Sequence, residues 1–360
     1  MYRTTHGSVA GINAALMMAT FKIHPDDRER LEMARGRKPN VAKQAEQLAN
    51  ALKFVSVAGT KENEHVVLGD HFAVMFDGQM TAGYPIEEDL SCCPHLVKLM
   101  TALNKCGNSL AIAELDSGRL SIKGQFLRAI VPCADVGDMF LSQPDANIAV
   151  ANDSLKEAFK CCGTLADEKA DSVIQASVLL EANVCTGTDR KVMMQYWHGV
   201  DLPPELVIPK IFINAVVKTS SSIVGFGYTP ERSVTLWFED GSWLKTLLYA
   251  DKWPDVSHIL NVESFPQAIN ENFFKGVEAL QNFVEDDCIY FCENLLQSNL
   301  SQEQGAQFDV PGLQAGKIFS ASQLKDIAPF AKTMDYTTFV DRAMFFGENM
   351  RGCLTSIAKG

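Results

Sequence analysis

Apolar and polar positions along this chain repeat with two periods, and the switches between them mark out the elements. From Val41, VAKQAEQLANALKF places Val41, Ala45, Leu48 and Leu52 on one helical stripe. Alternating, strand-like runs follow at 65–68, 72–76 and 80–84. PHLVKLMTALNK then predicts a second helix, with Pro94 suited to a first turn. Strand patterning resumes at 110–115, 120–123 and 126–131, and Pro132 ends it. The same order then recurs. Asn152 or Asp153 can cap a helix over DSLKEAFKCCG, and Gly163 can stop it. Strand-like residues occupy 172–184, and a helix bounded by Lys210 and Lys218 precedes strands at 233–238 and 243–249. Asp240-Gly241 between those strands is a strong hairpin signal, and Pro254 ends the pairing. A third occurrence starts near Asn270, with Phe274, Val277 and Leu280 on the inner stripe. It continues through strands at 289–296 and 307–310, a helix SQLKDIAPFAKT limited by Pro329, and strands at 339–346 and 352–357.

One plan is therefore written three times: helix, strands, helix, strands. Its period of roughly 110–118 residues is too long for a solenoid and fits tandem domains. Polar stretches around 142–147 and 261–267 serve as boundaries. They divide the chain into an N-terminal extension (1–40) and domains at 41–143, 144–262 and 263–360. Residues 24–40 are dense in charge and read as a solvated arm, although Arg35, Arg37 and Lys38 are a basic run of the kind that touches nucleic acid.

Charge gives the repeat a purpose. The 360 residues carry 44 acidic and 32 basic side chains, a net charge of −12, which argues against a generally basic coat. Yet the second helices carry Lys98 and Lys105, Lys210 and Lys218, and Lys325 and Lys332. Spacings of seven or eight residues are two turns, so each pair shares a face. The first helices add Lys43 and Lys53, Lys156 and Lys160, and Lys275. Lysine on a surface helix is ordinary; the same spacing three times in an acidic chain is less so. A lysine face tracks phosphates without reading bases, and such binding is strongly salt-dependent.

Other chemistry is poorly supported. Ten cysteines include the adjacent pairs Cys92-Cys93 and Cys161-Cys162, with no C-x-x-C, so free thiols in a reducing cytoplasm are expected rather than disulfides or zinc. Phosphate-loop, nucleophile-elbow and zinc-protease motifs are absent, and Gly225-x-Gly227 precedes no helix. Neither an enzyme nor a metal or cofactor site is expected. No run approaches the ~18 apolar residues of a membrane span, so a cytoplasmic location is expected.

In the middle domain the residues resemble a known family, the bacterial β-type DNA sliding clamp. Thr186-Gly187-Thr188-Asp189-Arg190 is similar to its Thr-Asp-Gly-His-Arg turn, VIPK to its helix entry, and LLYADKWPDVSHIL to its strand leading into Phe-Pro-Asp. The resemblance implies an α+β fold of three tandem clamp domains, with helices lining a central channel and antiparallel sheets outside, closed as a head-to-tail homodimer. It also implies a processivity factor that encircles double-stranded DNA. Polymerase and clamp loader would dock by short peptides in a cleft that includes Thr186, Thr188, Arg190, Pro254, His258, Ile259, Leu354 and Ile357. The ring is expected to close where the strand region from Leu120 to Phe126 meets the third domain's first helix around Leu280 and Phe283. Departures are clear: Asp189 replaces the family's His, Lys191 its Leu and His258 its Arg, and its Met-Pro-Met ending is missing. They suggest a remote replisome, such as a bacteriophage's. The competing reading is a structural or assembly protein of repeated α+β domains, as in a virion, which would need no lysine-lined helices.

Overall fold

The computed structural model describes residues 41–59, 64–106, 109–135, 143–300 and 304–358. The N-terminal extension and the Lys43 side chain lie outside the described residues. In the first unit, α1 (Val41–Val55) precedes β1 (Val67–Gly69), β2 (Phe72–Phe76) and β3 (Met80–Pro85). A second half follows, with β4 (Cys93–Pro94), α2 (Leu96–Asn104), β5 (Ala111–Leu115), β6 (Arg119–Lys123) and β7 (Arg128–Ala134). The second unit runs β8 (Asn147–Val150), α3 (Ser154–Gly163), β9 (Ser177–Leu180), β10 (Val184–Thr188) and β11 (Val192–Trp197). It continues with β12 (Leu206–Pro209), α4 (Lys210–Lys218), β13 (Ile223–Thr229), β14 (Ser233–Phe238) and β15 (Trp243–Leu247). A one-turn helix, α5 (Ser257–Leu260), sits in the connection. The third unit has β16 (Gln267–Ala268), α6 (Phe273–Leu280), β17 (Cys288–Cys292), β18 (Leu295–Gln297) and β19 (Gln307–Asp309). Its second half is β20 (Ile318–Ser320), α7 (Ala321–Ile327), β21 (Thr333–Asp335), β22 (Arg342–Gly347) and β23 (Met350–Thr355).

Each half-unit is thus a helix and a three-stranded meander, preceded by a leading strand in every described half but the first. In the second and third units the leading strands cross to the meander of the other half: β12 onto β9, β20 onto β17, β8 onto β13 and β16 onto β21. This exchange locks the halves of those units together; in the first unit β4 pairs with β7 of its own half, and the halves are linked by bridges at Leu68–Cys92 and His65–His95. The apolar stripes of the helices then fill the space between the sheets. Leu48, Leu52, Leu99, Leu155, Phe159, Phe212, Val216, Phe273, Val277 and Leu324 are all buried in one continuous core.

Units are joined by sheet continuity. β3 pairs antiparallel with β15, from Trp243↔Gly83 to Thr246↔Met80. β11 pairs with β23, from Val192↔Leu354 to Tyr196↔Met350. The results are sheets of seven and eight strands. Both joins use the last strand of one unit's first meander and the last strand of the next unit's second meander. By that rule β7 and β19 are the strands left over. They belong to the two four-stranded sheets. β4 covers only Cys133 and Ala134 of β7, and β19 is the outer strand of its sheet.

Several expectations change. Residues 172–176 form a turn, so the run 172–184 contains only β9 and the start of β10. The run 289–296 breaks at Asn294, whose φ of 59° reverses the chain. β11 and β13 carried no clear strand signal. In β13 the interrupting glycines have a reason. A Cβ on Gly227 would stand 2.6 Å from the Asp145 carbonyl, and one on Gly225 would stand 2.7 Å from the Asn147 amide, because the connection between units crosses here.

Leu120 and Leu280 are corrected. They are 0% and 1% exposed inside their own units and have no surface to offer a partner. Leu354 is corrected for the same reason: strand alternation turns it to the core and turns Cys353 and Thr355 outward. Lys332 is not on a helix. α7 ends at Ile327, before Pro329, and Lys332 leads into β21 instead. None of the ten cysteines is in a disulfide, and no described helix is long and apolar enough to cross a membrane.

Candidate nucleic-acid interface and partner cleft

Two helices pack against each other in each unit, and their outward faces favour lysine. The six helices carry Lys43, Lys53, Lys98, Lys156, Lys160, Lys210, Lys218, Lys275 and Lys325, against Glu46, Glu157, Glu278 and Asp326. Lys105 caps α2. Lys53, Lys98, Lys105, Lys160, Lys218, Lys275 and Lys325 are exposed. Lys160 stands 4.0 Å from Glu157 across one turn, and Lys325 reaches Gln281 at 3.3 Å. Both contacts lie on the surface, where such pairs contribute little.

Two of the expected lysines do something else. Lys210, the first residue of α4, donates from Nζ to the Gly163 carbonyl at the C-terminus of α3, at 2.5 Å. Lys156, in the first turn of α3, donates to the Thr219 and Ser221 carbonyls just beyond α4, at 3.0 and 2.8 Å. Each helix of the pair therefore places a cation against carbonyls at or just beyond the negative end of the other. Burial holds the Lys210 ammonium below the usual lysine range. Neither lysine is free to meet phosphate. Lys332 is diverted too, into an exposed ion pair with Glu348 at 3.1 Å.

The expected cleft lies on the outer face of the eight-stranded sheet. Thr188, Arg190 and Ile259 meet there with Lys191, Val192, Met193, Asp341, Arg342, Cys353 and Thr355 around a groove of about 460 Å³. An apolar cluster separate from the main core lies beneath it: Met193, Leu260, Met344 and Cys353, flanked by Val256, Ile259, Phe339 and Phe346. Its rim is a built turn. Thr188 Oγ1 donates to the Val192 carbonyl at 2.7 Å and accepts the Arg190 amide at 2.9 Å. Arg190 takes a φ of 78°, a left-handed conformation that these bonds must hold. Asp189 accepts the Lys191 and Val192 amides at 2.8 and 2.5 Å, and its other oxygen accepts Gln323 of α7 at 3.1 Å. This aspartate joins the turn to the third unit.

Of the remaining cleft residues, Thr186 is fully buried beneath Gln195, which donates to its hydroxyl at 3.2 Å. Pro254 and His258 are exposed on the connection outside the groove lining, and Ile357 hydrogen-bonds to Ile318 away from it. Reading the sequence missed Arg351. Its guanidinium stacks over Trp197 at 5.0 Å and donates to Gln195, Asn261 and the Leu260 carbonyl, holding α5 against the sheet. Arg351 stands one residue ahead of the expected strand at 352–357, because that strand begins at Met350. Met193 and Met344 gave no signal.

No protein-family model matches the chain, and no curated protein matches its sequence. Solved structures do. The DNA polymerase III subunit beta of Pseudomonas aeruginosa aligns with a TM-score of 0.75 at 13% identity, covering 88% of this chain and 99% of that one. The DNA polymerase sliding clamp of Bacillus subtilis gives 0.75 at 13% identity, covering 88% and 98%. The Helicobacter pylori beta clamp bound to a DNA ligase peptide gives 0.71 at 15% identity, covering 87% and 98%. Across nearly the whole length of those structures, this chain has the fold of the bacterial DNA polymerase III beta sliding clamp.

Proposed function

We propose that two copies of this chain close head to tail into a ring around duplex DNA, and that the ring tethers a DNA polymerase without reading sequence. One observation carries this reading. Three units are joined twice by the same strand-to-strand rule, and the two strands that rule leaves over, β7 and β19, are free for a second copy. In the described part of β7, Arg128 and Ile130 are exposed, and Phe126 just before it is 93% exposed. Phe283, beyond α6, is exposed on the third unit. Phe126 and Phe283 thus stay in the proposed seam, and Arg128 and Ile130 take the place of Leu120 and Leu280.

In such a ring the helix faces line the hole, with Lys53, Lys98, Lys105, Lys160, Lys218, Lys275 and Lys325 toward phosphate. Lysine suits that surface, because a flexible point charge gives loose attraction without register. The groove under Arg190 and Ile259 is the proposed docking site for partner peptides, with an apolar floor for anchors and a polar rim. The Helicobacter pylori clamp was solved with a DNA ligase peptide bound, which supports a peptide as the occupant. The reading requires no cofactor and no chemistry by the clamp itself.

Retention on DNA tests it. Loaded onto nicked circular plasmid, a ring stays bound through gel filtration and is released when the plasmid is cut. Rapid loss from uncut circles would exclude encirclement. Light scattering should return about twice the chain mass; a monomer or a large assembly argues against the ring.

A further inference from the structure

The join between the first and second units has a groove of its own. It lies on the outer face of the seven-stranded sheet and is walled by Val67, Phe72, Val74, Pro144, Trp237 and Trp243. The outer face of an antiparallel sheet is expected to be polar. Here Phe72 and Val74 are half-exposed beside two indoles whose ring centres are 6.4 Å apart. Trp243 is fixed in place. Its indole lies over Gly83, where any side chain would collide. Trp237 lies alongside, its indole N–H buried and without an acceptor among the described residues.

Charge distinguishes this groove from the one at the second join. Asp70 stands on its rim, exposed at the β1–β2 turn with a φ of 50°, and its carboxylate has no hydrogen-bond or ion-pair partner among the described residues. Lys245, two residues from Trp243 on the same strand face, is already committed. It bonds Asp145 at 3.1 Å and the Gln143 carbonyl at 2.7 Å. Asp145 in turn accepts Ser233 and Thr235 at 2.9 Å, and Thr229 as well. The free charge at this groove is therefore negative and sits next to aromatic faces. The groove at the second join is rimmed by Arg190, Lys191 and Arg342 with only Asp341 to oppose them.

We propose that the first groove is a second docking site, for an extended segment of a partner protein. That segment places a bulky apolar side chain against Phe72 and Val74 and an arginine or lysine between Trp237 and Asp70. A cation held by an indole face and a carboxylate is matched twice over. The two joins then select partners of opposite charge, so two different proteins can occupy one chain at once.

Indole resonances of the full chain, labelled with 15N-tryptophan, test this. The Trp237 signal is assigned by its loss in Trp237→Phe. The probe is a pool of acetylated, amidated heptapeptides with two central apolar positions (Leu, Ile, Phe or Trp) followed by arginine; the control pool has glutamate there. The arginine pool should move the Trp237 resonance saturably, and the glutamate pool should not. Asp70→Asn, a substitution in an exposed turn, should weaken the response up to roughly fivefold, from the ~1 kcal/mol upper range of an exposed carboxylate–cation pair. Ile259→Asp in the other groove should leave it unchanged. No response, an equal response to both pools, or an unaltered response in Asp70→Asn overturns the proposal. A shift on concentrating the protein alone assigns the groove to a second copy, and a shift on removing residues 1–40 assigns it to the chain's own N-terminus; either also overturns it. None of these measurements needs a ring or DNA, so their failure is separate from failure of the clamp reading.

Discussion

Exchanging Lys210 for methionine separates two meanings of a lysine on a helix. The methionine keeps the aliphatic stem and removes the ammonium that reaches the Gly163 carbonyl at 2.5 Å. What is lost is a charge-assisted hydrogen bond, ~1.5–3 kcal/mol, plus its interaction with the C-terminal end of α3, ~0.3–1 kcal/mol. Against this stands the cost of burying the ammonium, visible in its lowered pKa. A net loss of ~2 kcal/mol is expected in the unfolding of the middle unit. With a urea m-value of ~1–2 kcal/mol/M, the midpoint falls by ~1–2 M. Lys218 lies at the other end of the same helix, exposed, and Lys218→Met should leave that midpoint within ~0.5 kcal/mol. DNA binding should reverse the order. In a plot of log affinity against log salt, Lys218→Met should reduce the slope by ~0.9, one phosphate's worth of counterion release, and Lys210→Met should not. Urea titration and duplex titration at four salt concentrations decide it. If Lys210→Met leaves the midpoint alone and flattens the salt slope, the capping assignment is wrong and the original reading of the lysine pair is right.

Three further outcomes are expected. Ile130→Lys, on the free edge of β7, should convert dimers to monomers in light scattering without loss of helical circular dichroism. Leu120→Lys, one strand inward and fully buried, should instead fail to fold; a folded monomer from it would undo the seam assignment. At the second groove, Ile259→Asp should abolish docking of polymerase-derived peptides in a fluorescence polarisation assay while retention on circular DNA persists; unchanged docking would move the peptide site elsewhere. His198 supplies a pH dependence. It is buried, accepts the Val200 amide at Nδ1 at 3.2 Å, and burial lowers its pKa below 6.5. The unfolded chain therefore binds the proton more readily. The stability contributed is complete above pH 6.5 and declines as pH falls toward the folded-state value. His198→Asn, which keeps an acceptor near that amide, should flatten urea midpoints between pH 7.5 and 5.5; an unaltered slope would place the titrating group elsewhere.

How much of this was legible depended on whether a feature is local. The helices were, because an apolar stripe and its caps lie within a dozen residues; Leu155 and Phe159, or Val277 and Leu280, occupy the core as their spacing implies. The hairpin of β14 and β15 was too, since Asp240 accepts the Ser242 amide at 3.1 Å and Gly241 takes a φ of 81°. β13 was obscured because its glycines answer to Asp145 and Asn147, some eighty residues away. Lysine roles were illegible for the same reason. Spacing places Lys210 and Lys218 on one face, but only the packing of α3 against α4 decides that the first finds a carbonyl and the second finds solvent. The cleft was half legible: the turn at Thr188 and Arg190 was recognisable, whereas its methionine floor comes from β11 and β22, about 150 residues apart and brought to either side of β23 only in the joined sheet.

The lengths of the joins also bear on how such a ring works. Inside the chain the ladders hold four pairs between β3 and β15 and five between β11 and β23. The connecting segments are stapled across them, by Asp145 and Lys245 at one and by Arg351 at the other. At the proposed seam, β19 has three residues, and β7 has only Arg128 to Val131 clear of β4. No connecting segment lies over it, because the chain does not cross from one copy to the next. A ladder between these two strands would hold at most three residues of β19, and it would join the copies without a covalent link. A ring must open to admit DNA that has no free end, and strain spread around a closed ring is released first at the weakest join. Sheet continuity within the chain and its shortness between chains would let the same strand rule both build the ring and choose where it parts.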